Sequence, residues 1–431
     1  MPAGGHHGGM SISTCPFSDD LLHALAEQHG SPLWVYDATT IRERIAQLRA
    51  FDTVRFAQKA CSNTHLLRLM REQGVVVDAV SAGEIARALA AGYDARGETA
   101  GIVFTADLID RPTLALVAEH GIPVNAGSVD MLDQLGQALG AAARGHRVWL
   151  RINPGFGHGH SQKTNTGGEH SKHGIWPADI PAALAAIERH GLVLEGLHMH
   201  IGSGVDYSHL AQVCDAMVAQ VLEVAAAGHP VHAVSAGGGL SIPYRDGDDR
   251  IDTAHYFSLW DAARGRIAAA LGRPVRLEIE PGRFLVAESG VMLAEVRAVK
   301  DQGAKHFVLC DAGFSDLVRP AMYGGWHGIR VLARDAAAPR GPARASVVAG
   351  PLCESGDVFT QDAGGVVQPR LIDEARVGDL LVFHDTGAYG ASMSSNYNSR
   401  PLIAEVLVDG ATSRLIRRRQ TLDELLALEA V

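Results

Sequence analysis

Alternating apolar positions predict a series of short strands along the first two thirds of the chain. Such runs occupy 54–59, 75–80, 101–106, 122–127, 147–153, 194–202, 231–238 and 276–280. Segments with helical spacing lie between them, among them 82–91, 128–143, 179–190, 208–227 and 254–271. Eight strands that alternate with helices over about 230 residues predict a (β/α)8 barrel of the TIM type. A doubly wound open sheet is the alternative, because periodicity does not show whether a sheet closes.

The polar faces of three predicted strands are unusual for the interior of a barrel. These faces carry Trp149, Arg151 and Asn153; His198 and His200; and Arg276, Glu278 and Glu280. A charged interior costs free energy unless the charges pair with one another or bind a ligand. One interpretation is a structural ion network, with Arg55 paired to Glu278. The other is a polar cofactor bound at the carboxyl ends of the strands.

The pattern changes after residue 284, where strand-like runs follow one another without helices. These runs are 284–300, 306–313, 328–334, 344–350, 377–385 and 402–418, the last with an Asp-Gly turn at 409–410. A helix at 18–30 and a short strand precede the barrel pattern. We therefore expect an α/β protein with a barrel at 34–284. The ranges 285–431 and 1–33 would form a C-terminal β-barrel-like domain that is completed by the N-terminal segment.

Composition and charge narrow the possible classes of protein. The chain has 431 residues, too many for one hydrophobic core, and its 47% hydrophobic and 20% charged residues are ordinary for a globular protein. A net charge of −10 argues against a nucleic-acid or acidic-membrane partner. The apolar stretches are interrupted before they could span a bilayer, and the N-terminus has no apolar signal-peptide core, its GGHHGG being typical of a flexible tail. Five scattered cysteines without a CxxC pair favour free thiols and a cytoplasmic location.

The candidate chemistry is concentrated at the predicted carboxyl ends of the strands. Lys59 ends the first strand, on the same face as Arg55, and a lysine can form a Schiff base with an aldehyde. The loops after the last three strands begin with His-Ile-Gly-Ser-Gly at 200–204, Gly-Gly-Gly at 237–239 and Glu-Pro-Gly-Arg at 280–283. Consecutive glycines let backbone N–H groups approach an anion, and these loops are a common phosphate site in such barrels.

These features together match pyridoxal 5′-phosphate. This cofactor needs a lysine for its aldehyde, hydrogen-bond donors for its phosphate and a partner for its ring nitrogen. Lys59, the three loops and Glu280 supply them, and the imidazole of His200 would stack on the ring. The histidine pair has no third ligand at a familiar spacing, so no metal is expected. The His-rich segment 158–173, with its Gly and Ser content, fits a mobile substrate lid better than a metal site.

The order of the motifs strengthens this interpretation. The motifs FAQKACSN, SAGEI, GLHMHIGSG, SAGGGLS, EIEPGRFLV, GPLCESGD and HDTGAYG follow one another along the chain. From about residue 32 to residue 428 the sequence resembles the diaminopimelate decarboxylases, which belong to the alanine-racemase-like class of pyridoxal phosphate enzymes. It departs from many members in the segment after RINP, which is rich in His and Gly here and whose role the resemblance does not give.

The resemblance implies roles for individual residues. Lys59 carries the cofactor and His200 stacks on its ring. The phosphate end and ring nitrogen are bound by Ser203, Gly239, Glu280, Gly282 and Arg283, with a further contact from Tyr389. The substrate contacts are Arg283, Arg319, Tyr323, Glu354 and Tyr389. Cys353 is the proton donor, and the neighbouring subunit of a homodimer supplies it together with Glu354, so that the active sites are shared.

The implied reaction is decarboxylation of meso-2,6-diaminopimelate at its D-centre. The products are L-lysine and CO2, in the last step of lysine biosynthesis through diaminopimelate. A thiol with an ordinary pKa of about 8.5 is protonated at neutral pH and can donate its proton to carbon. One alternative is a decarboxylase of the same class that acts on ornithine, arginine or a related amine. Another is a cofactor-homeostasis protein that keeps the barrel but does little chemistry.

Overall fold

The chain folds into two compact units. The structure is a computed structural model and describes residues 15–156, 167–200, 202, 204 and 206–431. The barrel unit comprises Arg42–Ser241 and Ile251–Leu285, within those described ranges. The sheet unit comprises the described residues up to Ile41 together with Ile242–Arg250 and Val286–Val431. Residues 34–41 and 242–250 therefore group with the sheet unit, although they fall inside the range 34–284 expected for the barrel.

The elements are numbered here in chain order. The strands are β1 (Leu33–Asp37), β2 (Thr53–Ala57), β3 (Val76–Ala79), β4 (Ile102–Ala106), β5 (Val124–Ala126), β6 (Arg147–Ile152), β7 (Val193–Met199), β8 (Ala233–Ser235), β9 (Arg276–Ile279), β10 (Gly290–Gln302), β11 (Lys305–Cys310), β12 (Ile329–Leu332), β13 (Arg344–Ala349), β14 (Arg370–Ile372), β15 (Leu380–Phe383), β16 (Ala404–Asp409) and β17 (Thr412–Arg417). The α-helices are α1 (Asp19–His29), α2 (Ala38–Ala46), α3 (Thr64–Glu72), α4 (Ala82–Ala90), α5 (Arg111–His120), α6 (Val129–Leu139), α7 (Ile180–His190), α8 (Tyr207–Ala226), α9 (Thr253–Leu271), α10 (Arg283–Val286), α11 (Arg319–Tyr323) and α12 (Leu422–Leu426).

Strands β2 to β9 form a closed barrel in chain order. Every neighbouring pair is parallel, and β9 returns to pair with β2. Side-chain caps fix where several of the helices between the strands begin: Ser81, Asp110 and Ser128 each accept a hydrogen bond from a backbone N–H in the first turn of α4, α5 and α6. The predicted (β/α)8 barrel is confirmed, and the open doubly wound sheet is excluded.

A buried ion pair lies inside the barrel. Nη2 of Arg55 on β2 lies 3.1 Å from Oε2 of Glu278 on β9, and both side chains are only 3% exposed. Nη1 of Arg55 also donates to the carbonyl oxygen of Ala100 at 2.9 Å. The pairing of Arg55 with Glu278 expected from the sequence is confirmed.

The sheet unit contains a nine-stranded sheet into which the N-terminal segment is inserted. Its main path runs β14-β13-β11-β10-β1-β16-β17, and β15 pairs with both β10 and β12. Strand β1 is antiparallel to β10 and parallel to β16. Helix α1, which Ser18 caps and Gly30 ends, contributes Leu22 and Leu25 to a core that also contains Leu33, Val35, Val291, Leu293, Val382 and Val406. The prediction of a β-domain completed by the N-terminal segment is confirmed.

One predicted strand begins too early, and one short strand was not predicted. Residues 284–289 belong to α10 and to the 3₁₀ turn Ala287–Ser289, so β10 begins only at Gly290. The apolar run after Arg283 is buried, and periodicity does not distinguish a short buried helix from a strand. The unpredicted β14 has three residues. The Asp-Gly turn at 409–410 is confirmed between β16 and β17, where Gly410 has a φ of 59°.

Candidate active site

Lys59 lies just beyond the carboxyl end of the first barrel strand. Strand β2 ends at Ala57, and Lys59 belongs to the 3₁₀ turn Gln58–Ala60, so the predicted strand 54–59 is too long. Its side chain is exposed. Burial raises the pKa values of Asp78 and Glu84, and the positive charge of Lys59 partly offsets that rise. An amine with two carboxyl groups nearby therefore stands at the mouth of the barrel.

The three glycines after β8 follow a path that leaves no room for a side chain. A Cβ on Gly237 would collide with the carbonyl oxygen at the end of β7, and one on Gly238 would lie 2.6 Å from the carbonyl oxygen of Glu280. Gly237 and Gly239 also have left-handed φ values of 63° and 101°, which favour glycine. The backbone of this segment can therefore approach a ligand directly.

Glu280 follows β9 and contacts His198, a residue on β7. Oε2 of Glu280 forms a short hydrogen bond with Nε2 of His198, and both residues are buried. Burial by itself would raise the pKa of the Glu280 carboxyl, but the charge and hydrogen bond of His198 and the charge of Arg55 outweigh it and hold that pKa well below its usual range. Glu280 is therefore a carboxylate at any physiological pH.

His200 lies next to this pair and is kept neutral. The backbone N–H of Gly238 donates to Nδ1 of His200 at 3.1 Å, so that nitrogen carries the lone pair. Burial, together with the positive charges of Arg151 and Lys59, lowers the pKa of His200 well below its usual value. A neutral imidazole can offer its face to an aromatic ring without adding a positive charge.

The Glu-Pro-Gly-Arg turn, residues 280–283, follows β9 and contacts the segment that carries Lys59. The N–H of Ala57 donates to the carbonyl oxygen of Pro281 at 3.0 Å. A Cβ on Gly282 would lie 3.2 Å from the carbonyl oxygen of Ala57, so a larger residue would press on the lysine turn. Arg283 then begins α10.

These residues fit pyridoxal phosphate. The glycine segment 237–239 lets backbone N–H groups approach a phosphate, and its geometry excludes any Cβ. Glu280, ionised and buried, matches the ring nitrogen of the cofactor, and the amine of Lys59 stands at the same end of the barrel. Ser203, which was predicted to bind the phosphate end, lies outside the described residues.

The described part of the predicted lid is held by two polar side chains. The Asn153 side chain donates to the carbonyl oxygen of Gly168 at 3.0 Å and accepts from its N–H at 2.9 Å. The Asp107 carboxylate lies 2.5 Å from Nδ1 of His173 and accepts from the N–H of Gly174 at 2.8 Å. Residues 158–166 of the predicted lid lie outside the described residues, as does the GGHHGG segment.

Cys353 and Glu354 belong to a loop of the sheet unit, residues 350–357, and both are exposed. The Asp357 carboxylate accepts two backbone N–H groups, from within the loop at 2.8 Å and from the segment after β11 at 2.7 Å. Oδ1 of Asn398, a residue with a φ of 54°, accepts the N–H of Cys353 at 2.9 Å. The backbone at Cys353 is therefore fixed while the thiol faces outward.

The remaining predicted substrate residues also belong to the sheet unit. Arg319 and Tyr323 are the first and last residues of α11, and the Arg319 guanidinium carbon lies 4.6 Å from the centre of the Tyr244 ring. Tyr389 has a φ of 57°, a conformation that is strained for a residue with a side chain and that often marks a functional site.

His198, Asp357 and Asn398 were not among the residues predicted for the site. Alternation placed His198 and His200 on one face, which was the available signal. The partner of His198 follows β9, and β8 lies between β7 and β9, so alternation along one strand does not show the contact. Asp357 and Asn398 accept hydrogen bonds from backbone N–H groups of loops. Such loop contacts produce no periodic pattern in the sequence.

Comparison with known proteins gives the family. A family model described as "Pyridoxal-dependent decarboxylase, pyridoxal binding domain" matches residues 38–287. The diaminopimelate decarboxylase of Escherichia coli K12 is 65% identical over 424 residues, which cover 98% of this chain and 99% of that protein. The chain belongs to the diaminopimelate decarboxylase family.

Solved structures of diaminopimelate decarboxylases agree with this placement. One crystal structure of the family is 64% identical, has a TM-score of 0.92 and matches over 97% of this chain and 99% of that one. The enzyme from Helicobacter pylori, complexed with L-lysine, is 29% identical with a TM-score of 0.82, over 95% of this chain and 99% of that one. The predicted family, fold and cofactor are confirmed: the chain is a pyridoxal phosphate-dependent decarboxylase.

Two features are absent from the part of the chain that the structure describes. None of its helices is long and apolar enough to cross a membrane. None of its His, Cys, Asp and Glu side chains gather in groups of three or more that could hold a metal ion.

Proposed function

We propose how the residues of this enzyme divide the work of its reaction. The reaction is decarboxylation of meso-2,6-diaminopimelate at its D-centre, which gives L-lysine and CO2 and completes lysine biosynthesis through diaminopimelate. The observation that carries the proposal is the ionised Glu280, held by His198 beside the glycine segment 237–239 and the lysine turn. These are the groups that pyridoxal phosphate needs for binding and for use as an electron acceptor.

The barrel unit would bind the cofactor. When bound, pyridoxal phosphate supplies an aldehyde and an electron-accepting ring for the substrate amine and its α-carbon. The Lys59 amine would hold the cofactor through its aldehyde, and the Glu280 carboxylate would accept a hydrogen bond from the ring nitrogen. His200 would support the ring face, and Ser203, Gly239, Gly282 and Arg283 would hold the phosphate end.

Glu280 would contribute to the rate as well as to binding. A charge-assisted hydrogen bond contributes on the order of 1.5–3 kcal/mol, and only the part that grows in the transition state speeds the reaction. A carboxylate beside the ring nitrogen would keep that nitrogen protonated. The low pKa of Glu280 favours the carboxylate form that this role requires.

The sheet unit would recognise the distal end of the substrate. That end carries a carboxylate and an ammonium group, so it requires a guanidinium and an acidic side chain. Arg319 supplies a guanidinium group and Glu354 the acid, while Tyr323 and Tyr389 add hydroxyl contacts. Arg283, a residue of the barrel unit, would supply a second guanidinium group. L-lysine keeps this end unchanged, which agrees with the L-lysine complex of the Helicobacter pylori relative.

The Cys353 thiol would donate the proton that replaces CO2. Cys353 is exposed, and Asn398 and Asp357 fix the backbone of its loop. An exposed donor suits a site that is completed by a second copy of the chain, so we propose a homodimer in which Cys353 and Glu354 serve the partner's cofactor. The five cysteines are all free thiols, which supports a cytoplasmic location.

A product assay tests the reaction, and subunit mixing tests the shared site. Purified holoenzyme should form L-lysine and CO2 from meso-2,6-diaminopimelate and should leave ornithine almost unchanged. Faster release of CO2 from ornithine would overturn the substrate assignment. Lys59→Ala should abolish the cofactor that borohydride traps, whereas Cys353→Ala should keep the cofactor and slow turnover by roughly 10²–10⁴-fold.

Mixing the inactive Lys59→Ala and Cys353→Ala chains should restore activity at about a quarter of the sites if subunits exchange at random. Subunit exchange is verified independently by the appearance of mixed dimers in native mass spectrometry. If mixed dimers form and activity does not return, both residues act within the same chain.

A further inference from the structure

A buried histidine, His327, lies between the proposed substrate arginine and the backbone. It precedes β12 in the sheet unit and is 2% exposed. Its Nε2 lies 2.8 Å from Nη1 of Arg319, and its Nδ1 lies 2.9 Å from the carbonyl oxygen of His384. No role was predicted for His327 from the sequence.

The two contacts fix which nitrogen of His327 carries the proton. A carbonyl oxygen only accepts hydrogen bonds, so Nδ1 must carry the hydrogen that it donates to His384. A guanidinium only donates, so Nε2 must offer its lone pair to Arg319. The imidazole is therefore neutral, in the tautomer with hydrogen on Nδ1, and acts as a spacer of fixed length between the backbone and Arg319.

The surroundings of His327 prevent the ring from turning. The carbonyl oxygen of His327 accepts a hydrogen bond from Nη1 of Arg370 at 2.6 Å. The Tyr244 ring meets the imidazole edge-on, with ring centres 5.5 Å apart and an angle of 82° between the ring planes. The same Tyr244 ring lies under the Arg319 guanidinium, with 4.6 Å between its centre and the guanidinium carbon. Arg319 is thus held by a hydrogen bond at one nitrogen and by an aromatic ring on one face.

We propose that His327 is a positioning residue that sets the plane of the Arg319 guanidinium for the distal carboxylate of the substrate. Recognition of a carboxylate by two parallel N–H groups requires the guanidinium to lie in one plane with it. An arginine that is already oriented loses less side-chain freedom when the substrate binds. The inference rests on the role proposed above for Arg319 and adds the residue that orients it.

Two substitutions separate the two hydrogen bonds of His327. His327→Asn places a polar group where Nδ1 stands, so it can still donate to His384 but is too short to reach Arg319. His327→Gln places its amide at the position of Nε2, where the amide oxygen can accept from Arg319. His306→Gln is the matched control, because His306 pairs with the 60%-exposed carboxylate of Asp301 in the same unit.

L-lysine is the probe, because it carries the distal carboxylate and amine of the substrate, and its binding to the holoenzymes is measured by titration calorimetry. His327→Asn should weaken binding about tenfold or more, as expected for loss of an oriented charged contact, while His327→Gln and the control remain close to the wild type. The KM for meso-2,6-diaminopimelate should rise in His327→Asn with a smaller change in kcat. Binding of 1,5-diaminopentane, which lacks the carboxylate, should be equal in all four proteins.

The Arg319→Ala variant distinguishes the two levels of the proposal. If Arg319→Ala does not weaken L-lysine binding, the proposed role of Arg319 is wrong. If Arg319→Ala weakens binding but His327→Asn matches the wild type, His327 does not position Arg319, and the role of Arg319 stands. Equal weakening by His327→Asn and His327→Gln would also overturn the inference, because it would show a packing effect only.

Discussion

The interior of the barrel unit contains ionised side chains, whereas the core cluster of the sheet unit is built of apolar ones. In the barrel, the Arg55–Glu278 and His198–Glu280 pairs are buried between the strands. In the sheet unit, Leu293, Val382 and their neighbours pack under α1 with almost no exposure. Buried ion pairs add little to stability, but removing one partner leaves a charge uncompensated. The barrel therefore depends on charge balance in its interior, while the sheet unit depends on packing.

The sharpest test of the difference between the two units is Glu278→Gln. This substitution keeps the shape of the side chain and removes the charge that faces Arg55. We expect it to lower the free energy of unfolding by about 3–5 kcal/mol, because the guanidinium is left buried without its carboxylate. Urea unfolding of the apoenzyme measures the change. The double change Arg55→Met with Glu278→Met should recover most of the loss. A loss below about 1 kcal/mol in the single variant would show that water or backbone groups already compensate Arg55.

The matching test in the sheet unit is Leu293→Ala. Leu293 lies on β10 and is 0% exposed, so the substitution leaves a cavity and should cost about 2–5 kcal/mol of stability. The kcat of the folded protein should be unchanged. Leu371→Ala on β14 is the control, since Leu371 is 59% exposed and the change should stay within about 0.5 kcal/mol. Similar losses of stability in Leu293→Ala and Leu371→Ala would show that the effect of Leu293→Ala does not come from packing in the core.

The sheet unit also contains a buried histidine, His384, whose protonation should destabilise the fold. Burial lowers the pKa of His384 to about 4, below its usual value of 6.5. Below pH 6.5 the unfolded chain therefore binds a proton that the folded chain binds only near pH 4, so stability is lost as the pH falls through this range. The loss should approach about 3 kcal/mol.

Urea unfolding from pH 7 to pH 4 should show a shallower decline for His384→Gln than for the wild type. The substitution leaves the carbonyl oxygen that accepts from His327 in place. Parallel curves for the two proteins would mean that His384 is protonated in the folded state or is reached by water.

The smallest predicted free-energy change is on catalysis. Glu280→Gln removes the charge beside the proposed position of the cofactor ring nitrogen and should lower kcat by roughly 10- to 100-fold, which corresponds to about 1.5–3 kcal/mol. Stopped-flow turnover with saturating cofactor measures it. Glu188→Gln, which removes a 68%-exposed carboxylate of the same unit, should have no effect on kcat. An unchanged kcat in Glu280→Gln would show that the charge of Glu280 takes no part in the mechanism.

The sequence predicted most of the barrel because alternation reports which side chains share a face. It placed Arg55 and Glu278 on inward faces, and their pairing followed from the cost of a lone buried charge. It did not predict that His198 binds Glu280, because that contact crosses the intervening strand β8 and alternation describes one strand at a time. The helix Arg283–Val286 was mistaken for strand because its three consecutive buried apolar residues carry no period. The contact between His327 and Arg319 lies between a loop and the first residue of a helix, and spacing along the chain does not predict it.

The position of β1 has a consequence for synthesis on the ribosome. Leu33 lies opposite Ala404 of β16, roughly 370 residues further along the chain. Every strand of the barrel leaves the exit tunnel before β16 has been made. The barrel can therefore fold as a nascent domain while β1 is not yet paired with β16. The sheet unit is completed only after β16 has been synthesised, and a product truncated before β16 would present β1 as an open edge to chaperones and proteases.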